Sequence, residues 1–490
     1  MSGILLKNHK CQETDEVKSE TYASGSNCFS DESVTLRKEK KSDLKTVVNS
    51  FKERLTGRQE LKKVVHNIGW LFFDKIIRMG GGLIIGVLVA RYLAPERYGA
   101  LNYAIAFSSL FGAIATLGID RIAVREIVKR PLEHSEIMGT LFILRLITGF
   151  LILLISVISA YFINDRNFIK AVLVGVCSSV YIVQSVLVID FYYQAEVKSK
   201  YTVITQNIAF LISGVIKIIL IYLKASLIWF ASVIVVEAFL ASILLVISYQ
   251  IRIESIKKWK FKPYLVGSFL KDSWPYIISN LTAIIYMRID QIMIGNMLSE
   301  AQLGLYSVAV KISEVWFFIP MSIVASLFPA IIKSKSLGRE IFLLRMQKLC
   351  DLLTYFGIVV AIVIGFISEF VIVKLFGAEY SAASGVLKLH VWTGAVICFG
   401  AIGSAWITTE NLQKITFVKS ILGALSNVVL NLIWIPVYGI KGAALATVIA
   451  QLVTTLVFYD NKTWQVTKVQ LKSLIVHQVV QRFMLGFKKV

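Results

Sequence analysis

Twelve long apolar runs divide the chain between about residue 66 and residue 460, and the hydrophilic gaps between them alternate between basic and nearly uncharged. A hydrocarbon core about 30 Å thick takes roughly 20 apolar residues in helical form, because every backbone polar group must be satisfied within the segment. A soluble core has no place for a dozen such runs. The pattern predicts spans at 68–90, 99–119, 137–162, 168–190, 201–222, 227–249, 272–298, 305–331, 349–375, 382–407, 415–436 and 439–460. The fold class that follows is an all-α polytopic membrane protein with 12 transmembrane helices.

The 490 residues are 56% hydrophobic, yet the net charge is +21. Both hold only if the charge lies outside the spans. Short loops rich in Lys and Arg stay on the cytoplasmic side. The gap after span 2 holds Arg121, Arg125, Lys129 and Arg130, and the gap after span 6 holds Arg252, Lys257, Lys258, Lys260, Lys262 and Lys271. The gap after span 8 holds Lys333, Lys335, Arg339, Arg345 and Lys348, while the odd-numbered gaps carry at most two cations each. Both termini are therefore predicted in the cytoplasm. The basic balance is a topology signal, and nucleic acid is not an expected partner.

Cys11, Cys28, Cys177, Cys350 and Cys398 are scattered, with no pair at metal or redox spacing. The chain contains no Walker A or HExxH pattern, so neither nucleotide hydrolysis nor a cofactor or metal is expected.

Residues 1–62 read as a cytoplasmic, largely disordered extension, with 1–35 unstructured and 44–64 a short basic helix on the membrane surface. The start, MSGILLKNHK, lacks the apolar core of a signal peptide. Residues 463–490 mix apolar and basic residues and predict a helix lying in the cytoplasmic interface. Between these ends the chain repeats itself weakly. Leu93–Gly99 aligns with Leu298–Gly304, and Glu196, Lys200 and Thr202 align with Glu410, Lys414 and Thr416. Each alignment pairs span n with span n+6, so both copies share one orientation. That predicts two six-helix bundles, 63–250 and 272–462, joined by a basic cytoplasmic linker, 251–271, with the site at their interface.

Charged residues within spans are costly and by default face a cavity or a partner. Span 1 carries Asp74, Lys75 and Arg78, followed by Gly80, Gly81 and Gly82, which permit close helix approach or a bend. Arg145, Lys217 and Glu237 lie in spans 3, 5 and 6, and Arg288 and Asp290 in span 7. Span 8 carries Lys311 and Glu314, three apart on one face, and Pro320 and Pro329, which should kink it. His390 in span 10 reads as a satisfied interior histidine. Asp74 with Arg78, and Lys311 with Glu314, are spaced to pair within their own helices. Arg78, Arg145, Lys217, Arg288 and Lys311 form an excess of cations that hydrocarbon cannot stabilise. A water-filled central cavity can, and so can an anionic cargo, for which the guanidinium fork suits phosphate. These five are the candidate substrate-binding cations. Asp74, Glu237, Asp290 and Glu314 are the candidate acids for coupling to a proton or sodium gradient.

The run Asn67–Lys75, then Gly80–Gly82, then Ala90–Gly99, resembles the start of Wzx-type O-antigen flippases. So do Asp290–Gly295 and Phe191–Ala195. These flippases form the polysaccharide-transporter branch of the MOP superfamily, which includes the MATE multidrug exporters. The resemblance covers about residues 62–460, and the long N-terminal extension departs from it. It implies two six-helix bundles around a central cation-lined cavity. The implied cargo is an oligosaccharide repeat unit on undecaprenyl pyrophosphate, moved across a bacterial inner membrane to the periplasm. The polysaccharide polymerase and chain-length regulator are further expected partners. By similarity Asp74, Arg78, Arg288 and Asp290 carry over first. A MATE-like ion-coupled antiporter on the same fold predicts acids and aromatics around a cationic drug, against the cation excess here. A polymerase or ligase would need a sizeable periplasmic loop, and every such gap is short. A peptidoglycan-precursor flippase typically has two further spans.

Overall fold

A computed structural model describes the backbone of residues 31–410, 412–456 and 461–475. Side chains are described from His66 onward in those ranges, apart from Ile68, Phe328, Pro329, Ser404, Ala405, Thr408, Gln413, Lys414, Asn461 and Lys462. The expected unstructured segment before residue 31, the tail beyond 475 and the side chains of Pro329 and Lys414 therefore lie outside the described residues.

The described chain is helical, without strands. In order the helices are α1 (Asp31–Ala115), α2 (Asp120–Lys129), α3 (His134–Ile163), α4 (Phe168–Ser178), α5 (Val180–Val183), α6 (Val188–Ala195), α7 (Lys200–Tyr222) and α8 (Leu227–Arg252). There follow α9 (Pro263–Met297), α10 (Glu300–Glu314), α11 (Phe318–Lys335), α12 (Arg339–Phe376), α13 (Ala383–His390), α14 (Trp392–Thr409), α15 (Gln413–Leu456) and α16 (Asn461–Ser473). The chain divides into two compact units, Met1–Val65 and His66–Val490. In the first, the helix already runs from Asp31, inside the stretch expected to be unstructured, since its Lys and Glu are good helix formers.

Among the described residues of the second unit, ten helices are long and apolar enough to cross a membrane, where the sequence predicts twelve spans. The difference lies in two long helices that each hold two expected spans. One is interrupted at Ala94 (φ 58, ψ 170), the other at Gly439 (φ 58, ψ −142). Both residues adopt the positive φ that L side chains avoid, and Pro95 removes one backbone donor beside the first break. The expected kink in span 8 occurs between α10 and α11. Pro320 has no N–H to offer the carbonyl of Trp316, and Val315–Phe317 form the turn.

Large apolar side chains such as Phe366, Leu154, Val215 and Val437 point outward. Such a surface would be unfavourable in water but matches hydrocarbon. The unit is therefore a multi-pass membrane protein. Its main core is continuous from Val89, Leu93 and Tyr103 of α1 to Tyr306, Phe342 and Trp406. A smaller core joins α2, α3, α6 and the start of α9.

The linker docks rather than floats. Lys262 N donates to Thr140 Oγ1 at 3.0 Å, and His134 Nε2 lies 3.1 Å from the Glu254 carboxylate, which also accepts from Ser135 and Tyr249. Burial opposes ionisation of Glu254, but these donors and Lys258 outweigh it and hold its carboxyl below the ordinary value. The C-terminal helix packs against the rest of the unit. It buries Val466, Val469, Gln470 and Ser473, and Gln347 Nε2 donates to Val469 O at 3.0 Å. Gln470 Nε2 donates to Phe399 O at 3.2 Å, and Ser473 Oγ lies 3.3 Å from Thr354 Oγ1.

Candidate functional site

Small residues open the first site. Gly82 and Gly86 of α1 line a cavity of about 160 Å³ together with Phe210 and Lys217 of α7 and Lys311 of α10. A methyl group on Gly86 would lie 1.8 Å from Lys311 Nζ, so the glycine makes the room that the ammonium occupies. Gly81 and Gly214 let α1 and α7 approach closely, against Phe210 and Ile85. Lys217 and Lys311 repel one another across this space.

Two acids answer these cations. Glu237 Oε2 of α8 lies 3.7 Å from Lys217 Nζ and accepts from Ser213 Oγ at 2.6 Å. Its other oxygen lies 4.0 Å from Arg78. Arg78 Nε donates to Asp74 Oδ1 at 3.0 Å, and its fork reaches Gln206 O at 3.1 Å and sits over the Phe210 ring. Asn207 Nδ2 donates to the same Asp74 oxygen at 2.7 Å. Three cations thus face two carboxylates, one positive charge in excess. An anion entering beside Lys217 and Lys311 would meet charge that the protein itself leaves unneutralised.

A second cavity, of about 320 Å³, lies among α9, α10, α13, α14 and α15 and is lined by Tyr286, Asp290, Glu314, His390, Lys419 and Gln451, among others. Asp290 is 3% exposed. Its carboxylate accepts from the Tyr306 hydroxyl, from Gln291 N at 2.7 Å and from Thr447 Oγ1 at 3.4 Å. Arg288 acts electrostatically on both Asp290 and Glu314. His390 Nδ1 meets Ser313 Oγ at 2.9 Å, and Lys419 Nζ donates to Thr455 O at 3.3 Å. Behind Thr447 runs a buried amide chain. Asn427 Nδ2 donates to Thr447 Oγ1 at 3.4 Å, and Asn431 Nδ2 to Asn427 Oδ1 at 2.9 Å.

The nine singled-out residues thus fall into three places. Asp74, Arg78, Lys217, Glu237 and Lys311 come together, and Arg288, Asp290 and Glu314 come together. Arg145 joins neither group. It is 6% exposed, lies over the Phe191 ring at 5.5 Å and is acted on electrostatically by Asp120 and Asp190. Asp74 and Arg78 pair within their helix, but Lys311 and Glu314 do not pair with each other. α10 lies between the two cavities, and the pair divides between them. Sequence reasoning confined to charged residues and histidine missed Ser213, Asn207, Tyr306, Thr447, Asn427 and Asn431. Two amides four apart in an apolar span were the available signal. Among the described residues no group of three or more His, Cys, Asp or Glu could hold a metal ion.

Comparison with known proteins adds the lineage. The probable flippase AglR of Haloferax volcanii is 25% identical over 210 residues, covering 41% of this chain and 42% of that protein. A probable low-salt glycan biosynthesis flippase of the same archaeon is 23% identical over 208 residues, with the same coverage of each chain. The match thus spans less than half the length of either relative. Among solved structures, the lipid II flippase MurJ in an inward closed conformation aligns over 87% of this chain and 93% of its own, with a TM-score of 0.61 at 18% identity. An inward-facing multidrug resistance MATE-family transporter of the MOP superfamily aligns over 83% and 98%, with a TM-score of 0.63 at 15% identity. These two share the fold. The model of the family described as "Polysaccharide biosynthesis protein" matches residues 64–335, more than half of the sequence, and the chain therefore belongs to that family.

Proposed function

We propose that this protein is a flippase for lipid-linked oligosaccharides, carrying undecaprenyl-pyrophosphate-linked repeat units across a bacterial inner membrane for O-antigen or a related surface polysaccharide. The observation that carries the reading is the meeting of Lys217 and Lys311, from opposite halves of the sequence, on one cavity beside Arg78. A pyrophosphate head entering there would be held by charge-assisted hydrogen bonds. The polyprenyl tail would remain in lipid. In this reading the breaks at Ala94 and Gly439 turn the two long helices back, giving twelve crossings in two six-helix bundles with both termini in the cytoplasm. The bundles rock against one another to switch access. Asp290 and Glu314 are the acids best placed to couple that motion to an ion gradient. The curated relatives named flippases, and the MurJ-like fold, support the same direction.

The test is reconstitution. Purified protein is placed in proteoliposomes with the lipid-linked repeat unit, and leaflet exposure is scored with a membrane-impermeant glycan-modifying enzyme. Wild type should expose the glycan, and Lys217→Ala with Lys311→Ala should not. A folded wild type that moves no glycolipid but exports cationic drugs would establish the antiporter reading instead.

A further inference from the structure

The two halves meet backbone to backbone at a point that the sequence repeat marks. Gly99 of α1 and Gly304 of α10 are repeat partners, as are Pro95 and Glu300, each pair 205 positions apart. In the structure they meet crosswise. A methyl group on Gly99 would lie 1.8 Å from Glu300 O and 2.8 Å from Gly304 N. A methyl group on Gly304 would lie 1.9 Å from Pro95 O. The contact is reciprocal, as a two-fold axis through the crossing requires. Both obstructions are backbone, so no side chain can rotate to relieve them, and only glycine admits this approach.

Further bonds close the same end of the molecule. Lys170 Nζ lies 3.0 Å from Glu300 Oε1, Arg91 donates to Lys374 O at 2.8 Å, and the Tyr380 hydroxyl donates to Ala90 O at 2.8 Å. Each joins a residue before 251 to one after 271. Lys170 and Glu300 are both partly exposed, so their pair is weak enough to be broken and remade.

We propose that the Gly99–Gly304 crossing is the outer gate: a two-fold backbone contact that seals the cavity on the side away from the basic loops and parts once in each cycle, with Lys170–Glu300 as its latch. The proposal deepens the flippase reading and rests on its alternating access, but its test does not need glycolipid.

Asn102 lines the first cavity beneath the crossing. Asn102→Cys, in a full-length chain with Cys11 and Cys28 replaced by Ser, reports access from outside to a membrane-impermeant maleimide in intact cells. The native Cys177, Cys350 and Cys398 are buried. With native glycines the label should react slowly. Gly99→Ala and Gly304→Ala should each speed labelling about tenfold, by disfavouring the closed state. Lys170→Glu and Glu300→Lys should each speed it severalfold, and the two together should restore slow labelling without any change in packing. Gel filtration identifies variants that are correctly folded. Unchanged labelling in folded glycine variants, or a double charge reversal that labels as fast as the single ones, would overturn the gate. Labelling that shifts as expected, in a protein that moves no glycolipid, would leave the gate standing and defeat the flippase reading.

Discussion

The first cavity's cluster sets Arg78 and Lys217 of the first half and Lys311 of the second against Asp74 and Glu237, whereas the second cavity is lined by Asp290, Glu314 and Lys419, with Arg288 acting electrostatically on the two acids. One is positive by a full charge and the other is balanced. The two halves carry a repeated sequence pattern, yet their polar interiors have diverged. The first cluster joins its acids and cations directly, at 3.0 to 4.0 Å, and faces the cavity with two ammonium groups. The second buries one carboxylate among neutral donors, the Tyr306 hydroxyl, a backbone amide and Thr447. A surplus of cations suits holding an anionic headgroup. A carboxylate held by neutral donors suits a small ion or a proton. On the function proposed above, the halves divide cargo and coupling between them.

Five variants sharpen or break that division. Removing both Lys217 and Lys311 should have the largest effect, lowering glycolipid transport about 100-fold at unchanged thermal stability, since each charged hydrogen bond contributes about 1.5–3 kcal/mol. Loss of folding instead would make the cations structural and erase the contrast. Asp290→Ala should do the reverse of the lysine pair, destabilising the protein by about 2 kcal/mol through the donors it strands. Thermal unfolding in detergent measures this, while Asp290→Asn should keep the fold and uncouple transport from an imposed ion gradient. Arg78→Ala removes the surplus positive charge while leaving both cavity lysines in place. Transport should fall about tenfold, as expected for one lost charged contact. A full-rate Arg78→Ala variant would show that Lys217 and Lys311 suffice. Gly86→Ala displaces the Lys311 ammonium without changing any charge, and should slow transport only about threefold, because a flexible side-chain end can shift.

The membrane class and most span positions could be read from the sequence because run length alone decides them. The pairing of Asp74 with Arg78 was also readable, being local to one helix turn. The separation of Lys311 from Glu314 was not. Their spacing fits an internal pair, and only the position of α10 between two cavities sends them apart. Arg145 and Lys217 look alike in sequence, each a lone cation in the middle of an apolar run. What distinguishes them is tertiary: Asp120 and Asp190, from other elements, act electrostatically on Arg145, whereas Glu237 must serve Lys217 and Arg78 together. The break at Ala94 falls in the gap between the first two expected spans, which holds Arg91, Glu96 and Arg97, and the break at Gly439 falls at the junction of the last two.

The reach of Lys311 into a cavity built mainly by α1, α7 and α8 makes the electrostatic character of that cavity a function of posture. If the halves move apart, the second half carries this ammonium away with it, and the remaining Arg78 and Lys217 are matched one for one by Asp74 and Glu237. The grip on an anion would then slacken through geometry alone, with no proton lost and no competitor bound. Capture and release would be two readings of a single dial, the distance between Lys311 and Gly86.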